Sequence, residues 1–452
     1  MAQIHISNEI PVRYLRRSTL ANVLFGIMAV AGVLVFLWTW TEDPARAWRA
    51  WVVNWLFFTS VAAGAMALTV ATTITKARWN WSVRRVSLAF SAFLPLAFVL
   101  MLPMLGLREG YFPWIEAMAH DPIVQRKAAY LNVPFLITRN LVGLALLFGV
   151  FVYMAYLALR PDMGLVKDGG HAEGDGARSR WAEWLTGGWR GQEREEVRSH
   201  RKLSRLAPAA ALLYAAVLSV VSFDWVMSLE PHWFSTIFGA WFFMGAFWAG
   251  VAATAWVTVY LKRRDPDLNK LMGVQQLHDL GKLTFAFTVF WAYLFFSQYL
   301  VIWYGKLPWE QSWIIHRAEA PWGMLSVVAI VLCFVVPFAG LLGRKAKMTP
   351  WTLQLFASLI LVGVWLERYL MVVPSIHGGG ATMTWREPGI GLLFLGGFLF
   401  SVRWFLTTFP AVQVWQPPSE PESVEAEMMP GVGQRVEDTK PASSEAAGER
   451  GT

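Results

Sequence analysis

Charge is what this sequence has least of. Only 15% of its 452 residues are Asp, Glu, Lys or Arg, against roughly 25% in an ordinary soluble domain. Apolar residues make up 56% and the mean hydropathy is +0.41, which excludes a water-soluble globule and implies an integral membrane protein. Cysteine is nearly missing: Cys333 stands alone, inside an apolar run. That excludes a disulfide framework and a Cys-rich metal site. No CxxCH motif occurs, so the chain offers no attachment point for c-type haem. Histidine is sparse, and His5, His120, His171, His200, His232, His278, His316 and His377 all fall in loops or at the ends of apolar runs. A b-type haem in a helical bundle takes axial ligands that project into the core from facing helices. A cytochrome b is therefore excluded, and the chain is expected to hold no metal and no redox centre of its own.

Long apolar runs are what is present. Ten have spanning length: Leu20–Trp40, Trp51–Thr75, Val83–Leu107, Leu131–Leu159, Leu206–Leu229, Trp233–Leu261, Leu280–Tyr304, Pro321–Gly343, Thr352–Val373 and Gly389–Phe409. A bilayer requires roughly 20 residues per helix, so the expected fold is all-α, with ten transmembrane helices between residues 20 and 409. The first run follows Arg13, Arg16 and Arg17, is too long for a signal-peptide core and lacks a small-residue cleavage site, so it is expected to be retained. Pro95, Pro103, Pro134 and Pro337 should kink or shorten their helices. Residues 1–19 form an N-terminal segment. The stretch Arg160–Arg205, rich in Gly, Arg and Glu, reads as a mobile linker. Residues 410–452, mostly Pro, Ser, Ala and Glu, read as a disordered tail.

Lys and Arg set the orientation. With the N-terminus inside, the inner segments (to Arg17, Lys76–Arg85, Arg160–Arg205, Lys262–Lys270 and Arg344–Lys347) carry 24 of them, and the outer segments carry 8. Both termini are thus expected in the cytoplasm. No internal repeat is evident. Helices 2 and 6 enter from the same side, so any two halves would be parallel.

A few charges interrupt the apolar runs. At 1.5 Å per residue, Arg139 lies about 12 Å in from the outer end of its helix, Asp224 about 8 Å and the Glu367–Arg368 pair about 9 Å. Gln298 belongs to the same layer. Two positive and two negative charges sum to zero, which suits a structural quartet pinning helices together. It also suits a polar pocket open to a lipid-soluble, proton-carrying ligand. In that reading Asp224, Glu367 and Arg368 do the chemistry, while Arg139, Gln298, His232 and Tyr304 contact the ligand. Helix 7 adds a second feature. His278, Asp279, Lys282, Tyr293, Ser297 and Tyr304 fall within a sector of about 100° and could form a proton path, although Ser and Tyr also simply bond to neighbouring helices.

Three stretches carry a resemblance. FDWVMSLEPHWFSTIFG (Phe223–Gly239), LHDLGKLTFAFTVFWAYLFFSQYLVIWYGKLP (Leu277–Pro308) and HDPIVQRKAAYLNVPFLITR (His120–Arg139) closely resemble the ActF family. ActF is the second quinone-binding, NrfD/PsrC-like membrane subunit of alternative complex III, a bacterial quinol:cytochrome c oxidoreductase. The likeness runs from about Arg46 to Val373, outside the Arg160–Arg205 stretch and the acidic tail. It implies two four-helix bundles, helices 2–5 and 6–9, with helices 1 and 10 outside them. It also implies quinol as ligand, and as partners a sister ten-helix subunit, an iron–sulfur subunit and c-type cytochrome subunits. In this family the sister has the better claim to the quinol-oxidising site. Two other functions fit the same residues: a non-catalytic membrane scaffold, and a secondary transporter, although no pair of inverted, interrupted helices is evident.

Overall fold

The computed structural model describes residues 10–108, 110–170, 175–376 and 383–416. Among these, ten helices are long and apolar enough to cross a membrane: α1 (Thr19–Glu42), α2 (Pro44–Ile74), α3 (Arg84–Gly106), α4 (Val133–Asp168), α5 (Gln192–Leu229), α6 (Phe238–Arg264), α7 (Val274–Gly305), α8 (Gly323–Leu341), α9 (Pro350–Ile376) and α10 (Arg386–Thr408). The protein is an all-α membrane protein. Consecutive helices run antiparallel. Helices α2–α5 and α6–α9 pack as two groups, joined where α2 lies along α6 and where α5 and α9 touch them. The α1–α10 pair packs on itself and against α2.

Small residues set the closest crossings, as expected where lipid removes the hydrophobic drive and contact must do the work. A Cβ on Gly64 of α2 would stand 1.8 Å from the Ala246 carbonyl oxygen, and one on Gly250 of α6 would stand 2.1 Å from the Ala65 nitrogen. The two backbones therefore touch at reciprocal glycines. Gly32 and Gly396 do the same for α1 and α10, with Cβ positions 2.1 Å from the Leu393 nitrogen and 2.5 Å from the Phe25 carbonyl oxygen.

The prolines act locally. Pro95 and Pro103 accompany two 3₁₀ turns that break α3, Phe90–Phe93 and Leu102–Gly106. Pro134 sits in the first turn of α4, where its missing N–H costs nothing. Pro337 cannot donate to the Cys333 carbonyl four residues back, and the turn Val331–Val335 before it widens into a π-helix. Three Asp-Pro pairs start helices. Asp43, Asp121 and Asp265 each accept backbone N–H bonds in the turn that their neighbouring proline opens.

The linker expected at Arg160–Arg205 is corrected by the structure. Helix α4 runs on through Pro161 to Asp168, a short helix spans Gly176–Leu185, and α5 begins at Gln192. The apolar period marks only the part of a helix that meets lipid, so the polar extensions escaped it. A buried ion pair holds them, with the Arg160 guanidinium donating to both Glu195 oxygens at 2.8 and 3.1 Å. The start of the expected tail is corrected too. Ala411, Val412 and Trp415 are buried, and the Asp162 carboxylate accepts N–H bonds from Val414 at 2.9 Å and Trp415 at 2.8 Å. Asp162 also pairs with Arg85, both fully buried. The rest of the tail lies outside the described residues, as do residues 1–9, His171 and His377.

Candidate functional site

The expected charge quartet resolves into two separate clusters, one in each helical group. In the first, α5 carries Asp224 one residue before its α-helical hydrogen bonds end at Trp225. Its carboxylate is wholly buried. Arg139 of α4 grips it with two bonds, Nε to Oδ2 at 2.8 Å and Nη2 to Oδ1 at 2.5 Å. The Tyr130 hydroxyl donates to Oδ1 at 3.0 Å and the Asn140 amide to Oδ2 at 2.6 Å. Asn140 in turn accepts from the Trp225 indole at 2.9 Å. Each oxygen thus has two donors, and the guanidinium lies 3.8 Å over the Tyr130 ring. This carboxylate has no free lone pair to offer a ligand.

The second cluster is different. Glu367 and Arg368 are neighbours on α9, and Arg368 Nη1 donates to Glu367 Oε2 at 3.0 Å. The Trp291 indole of α7 donates to Oε1 at 2.8 Å. Arg368 also donates to the Phe242 carbonyl at 3.1 Å and lies 3.9 Å over the Phe242 ring. Beside this pair is a cavity of about 220 Å³ between α6, α7, α8, α9 and the helix Pro308–Ala318. Its walls are mostly aromatic and aliphatic, with Trp241, Trp291, Phe295 and Trp313 prominent. The charged and hydroxyl- or amide-bearing side chains at its wall are few: Glu367, Gln298, Tyr299, Ser326 and Arg317. Gln298 is buried, and its Oε1 has no hydrogen-bond partner. A roomy apolar space with a few convergent polar groups is the usual form of a small-molecule site. Neither a family model nor a curated protein matches this chain.

Sequence reasoning missed the floor of this cavity. Arg317 sits on the short helix Pro308–Ala318, between two apolar runs, where a loop was expected. Pro374 inside α9 leaves the Leu370 carbonyl without its helical donor, and Arg317 Nε supplies that bond at 2.8 Å. Arg317 Nη2 reaches the Met371 carbonyl at 3.0 Å and the Ser375 hydroxyl at 2.6 Å, while Nη1 reaches Glu230 at 3.2 Å. Burial pulls its guanidinium down to about 10 against the attraction of Glu230, so it stays cationic at neutral pH. The Arg317–Pro374 relation is visible in sequence only once the two segments are known to meet.

The other expected residues do not join either cluster. His232 pairs with Asp121 in the loops near the α5–α6 turn and is about half exposed. On α7, Asp279 pairs with Lys282 at 2.5 Å and accepts from Gln275 at 3.0 Å, with His278 half-buried beside them. Ser297 is half-buried, while Tyr293 and Tyr304 are 61% and 73% exposed. The expected proton-path sector therefore points largely away from the interior of this chain. The buried polar line on α7 is Gln276, Thr284, Thr288 and Gln298, roughly opposite at 100° per residue. The periodicity located a stripe, and the burial of its opposite face was not legible from it. Among the described residues, no group of three His, Cys, Asp or Glu side chains is placed to hold a metal.

Proposed function

We propose that this chain is a membrane subunit of a bacterial quinol:cytochrome c oxidoreductase and that the cavity beside Glu367 takes a quinol ring. The observation that carries the reading is the cavity itself: apolar walls, one buried carboxylate and one unpartnered amide oxygen. An apolar cavity of roughly 150 Å³ accepts a benzene, so about 220 Å³ suits a substituted six-membered ring. Gln298 Oε1 accepts one quinol hydroxyl proton as a hydrogen bond. Glu367 takes the proton of the other hydroxyl as the ring loses its electrons, releases it, and then takes the second. Oxidation releases two electrons and two protons per quinol, and the electrons leave through iron–sulfur or haem centres on partner subunits. Arg368 offsets the charge of Glu367 between turnovers. The excess of Lys and Arg in alternate loops supports an orientation with both termini cytoplasmic, which sets the cavity near the periplasmic face.

A second reading attaches to Asp224. Its saturated hydrogen bonds favour a tie between α4 and α5 over a proton carrier. The two readings thus divide between the two carboxylates.

Glu367→Gln tests the proposal, because it keeps shape while removing the ionisable group. The complex should assemble with full haem content, and quinol:cytochrome c turnover should fall at least tenfold, about 1.4 kcal/mol in the barrier. Assembled complex with unchanged turnover, proton release and quinone content would end the quinol reading.

A further inference from the structure

Helix α5 extends past the membrane as a cationic rod. Arg194, Arg198, Arg201 and Arg205 recur at four-, three- and four-residue spacing, and at 100° per residue they fall within about 60° of one another. All four are exposed, and Lys202 stands at their edge. Together with Glu193 and Val197 they line a shallow depression of about 540 Å³. Of the two acids nearest the stripe, Glu193 lies at its far end from the membrane and Glu195 is already engaged. Glu195 is buried and bonded to Arg160, and Arg198 approaches it only to 3.6 Å.

The same face continues into the membrane. Ala209, Leu212 and Ala216 share the azimuth of the arginines and are exposed, Leu212 at 75%. Helix α4 runs alongside, tied there by Lys202 Nζ donating to the Tyr153 hydroxyl at 3.2 Å. It exposes Leu146, Gly149 and Tyr153. Arg201, Lys202 and Arg205 lie within about 8 Å of helix rise from the first apolar residue, Leu206. That is about the depth of one headgroup layer. Cations at headgroup depth thus stand directly over an exposed apolar channel. We propose that this α4–α5 face binds an anionic phospholipid. Its phosphate sits on Arg201, Lys202 and Arg205, its acyl chains run along Leu212 and Leu146, and Arg198 reaches down to the headgroup. The arrangement combines charge attraction for anionic lipid with the snorkelling reach of long basic side chains.

The test is a titration of the purified full chain in detergent with fluorescent phosphatidylglycerol, with phosphatidylcholine and inorganic phosphate as comparisons. For Arg201→Gln/Lys202→Gln/Arg205→Gln, the half-saturating phosphatidylglycerol concentration should rise at least tenfold, with phosphatidylcholine unchanged. Arg201→Lys/Arg205→Lys should stay within threefold of the native chain. Leu212→Asn should weaken phosphatidylglycerol several-fold, which a site for free phosphate would not show. Inorganic phosphate should compete poorly. Equal binding by the triple variant overturns the proposal and leaves the stripe to an acidic protein surface. Inorganic phosphate competing as well as lipid also overturns it. Should the triple variant lose its helical circular dichroism, the lysine and Leu212→Asn variants decide alone, and unchanged binding in Leu212→Asn refutes the acyl channel.

Discussion

At the scale of single residues, the buried carboxylates of Asp224 and Glu367 differ in what surrounds them. Asp224 has four donors on two oxygens. Arg139→Ala would leave that charge buried without its counter-ion, at a cost of roughly 3–5 kcal/mol. The expected outcome is loss of folded protein in a detergent-stability assay. Asp224→Asn should be milder than Arg139→Ala while leaving turnover of whatever complex survives near native; a tenfold drop in turnover of fully assembled complex would return Asp224 to the chemistry. The loop pair Asp121–His232 allows a prediction about pH. The hydrogen bond from His232 and the backbone N–H groups of Ile123 and Val124 hold the Asp121 carboxyl below the usual range, against a partial desolvation. A depressed carboxyl contributes stability that is fully present above its ordinary value and is lost as pH falls through the lower folded value. The pair should therefore survive mild acid and part only below the usual carboxylate midpoint. His232→Ala should move the Asp121 midpoint upward in an infrared or NMR titration, and an unmoved midpoint would show that the histidine does not set it. The buried acids were legible in the sequence because charges inside apolar runs are rare. Their partners Tyr130, Asn140 and Trp291 were not, since nothing in one helix says which face of the next it meets.

At the scale of elements, the reciprocal glycines of α2 and α6 carry the junction between the helical groups. Gly250→Leu would place atoms where the Ala65 backbone now stands. Overpacking costs typically about 1–3 kcal/mol where neighbours can yield, and here backbone is what must move. The thermal midpoint should fall by several degrees and more than for Gly149→Leu, whose glycine has open space around it. Equal shifts for the two would mean that the crossing is not close. Helix existence was readable from composition alone, because twenty apolar residues admit few other structures. Helix ends were not. Residues 192–205 are polar, yet they continue α5 because the Arg160–Glu195 pair is buried against the α4 extension. Hydropathy registers where lipid stops, and helical hydrogen bonding has no reason to stop there.

At the scale of the molecule, the loop charges make a further prediction. Reporter fusions at Gly170 and after Trp415 should both report cytoplasm, and a periplasmic signal at either would reverse the topology and move the cavity to the opposite face. The architecture was legible as a count of helices. The pairing of α1 with α10 was not, since the two are the most distant apolar runs in the chain and carry no mark of each other beyond their glycines.

That pairing bears on how the protein is made. Leu15 N–H donates to the Leu406 carbonyl at 3.0 Å, Ala411 N–H donates to the Arg13 carbonyl at 2.7 Å, and Arg386 meets Glu42 at the other end of the pair. Of these ten helices, the first to be made therefore waits for the last. At about 5–20 residues per second, the interval between them is on the order of tens of seconds. Throughout it α1 rests in lipid, with Gly32 presenting a bare notch to any passing helix. Closure of the α1–α10 pair thus has to follow synthesis of α10, and a ribosome halted anywhere before α10 leaves that notch open.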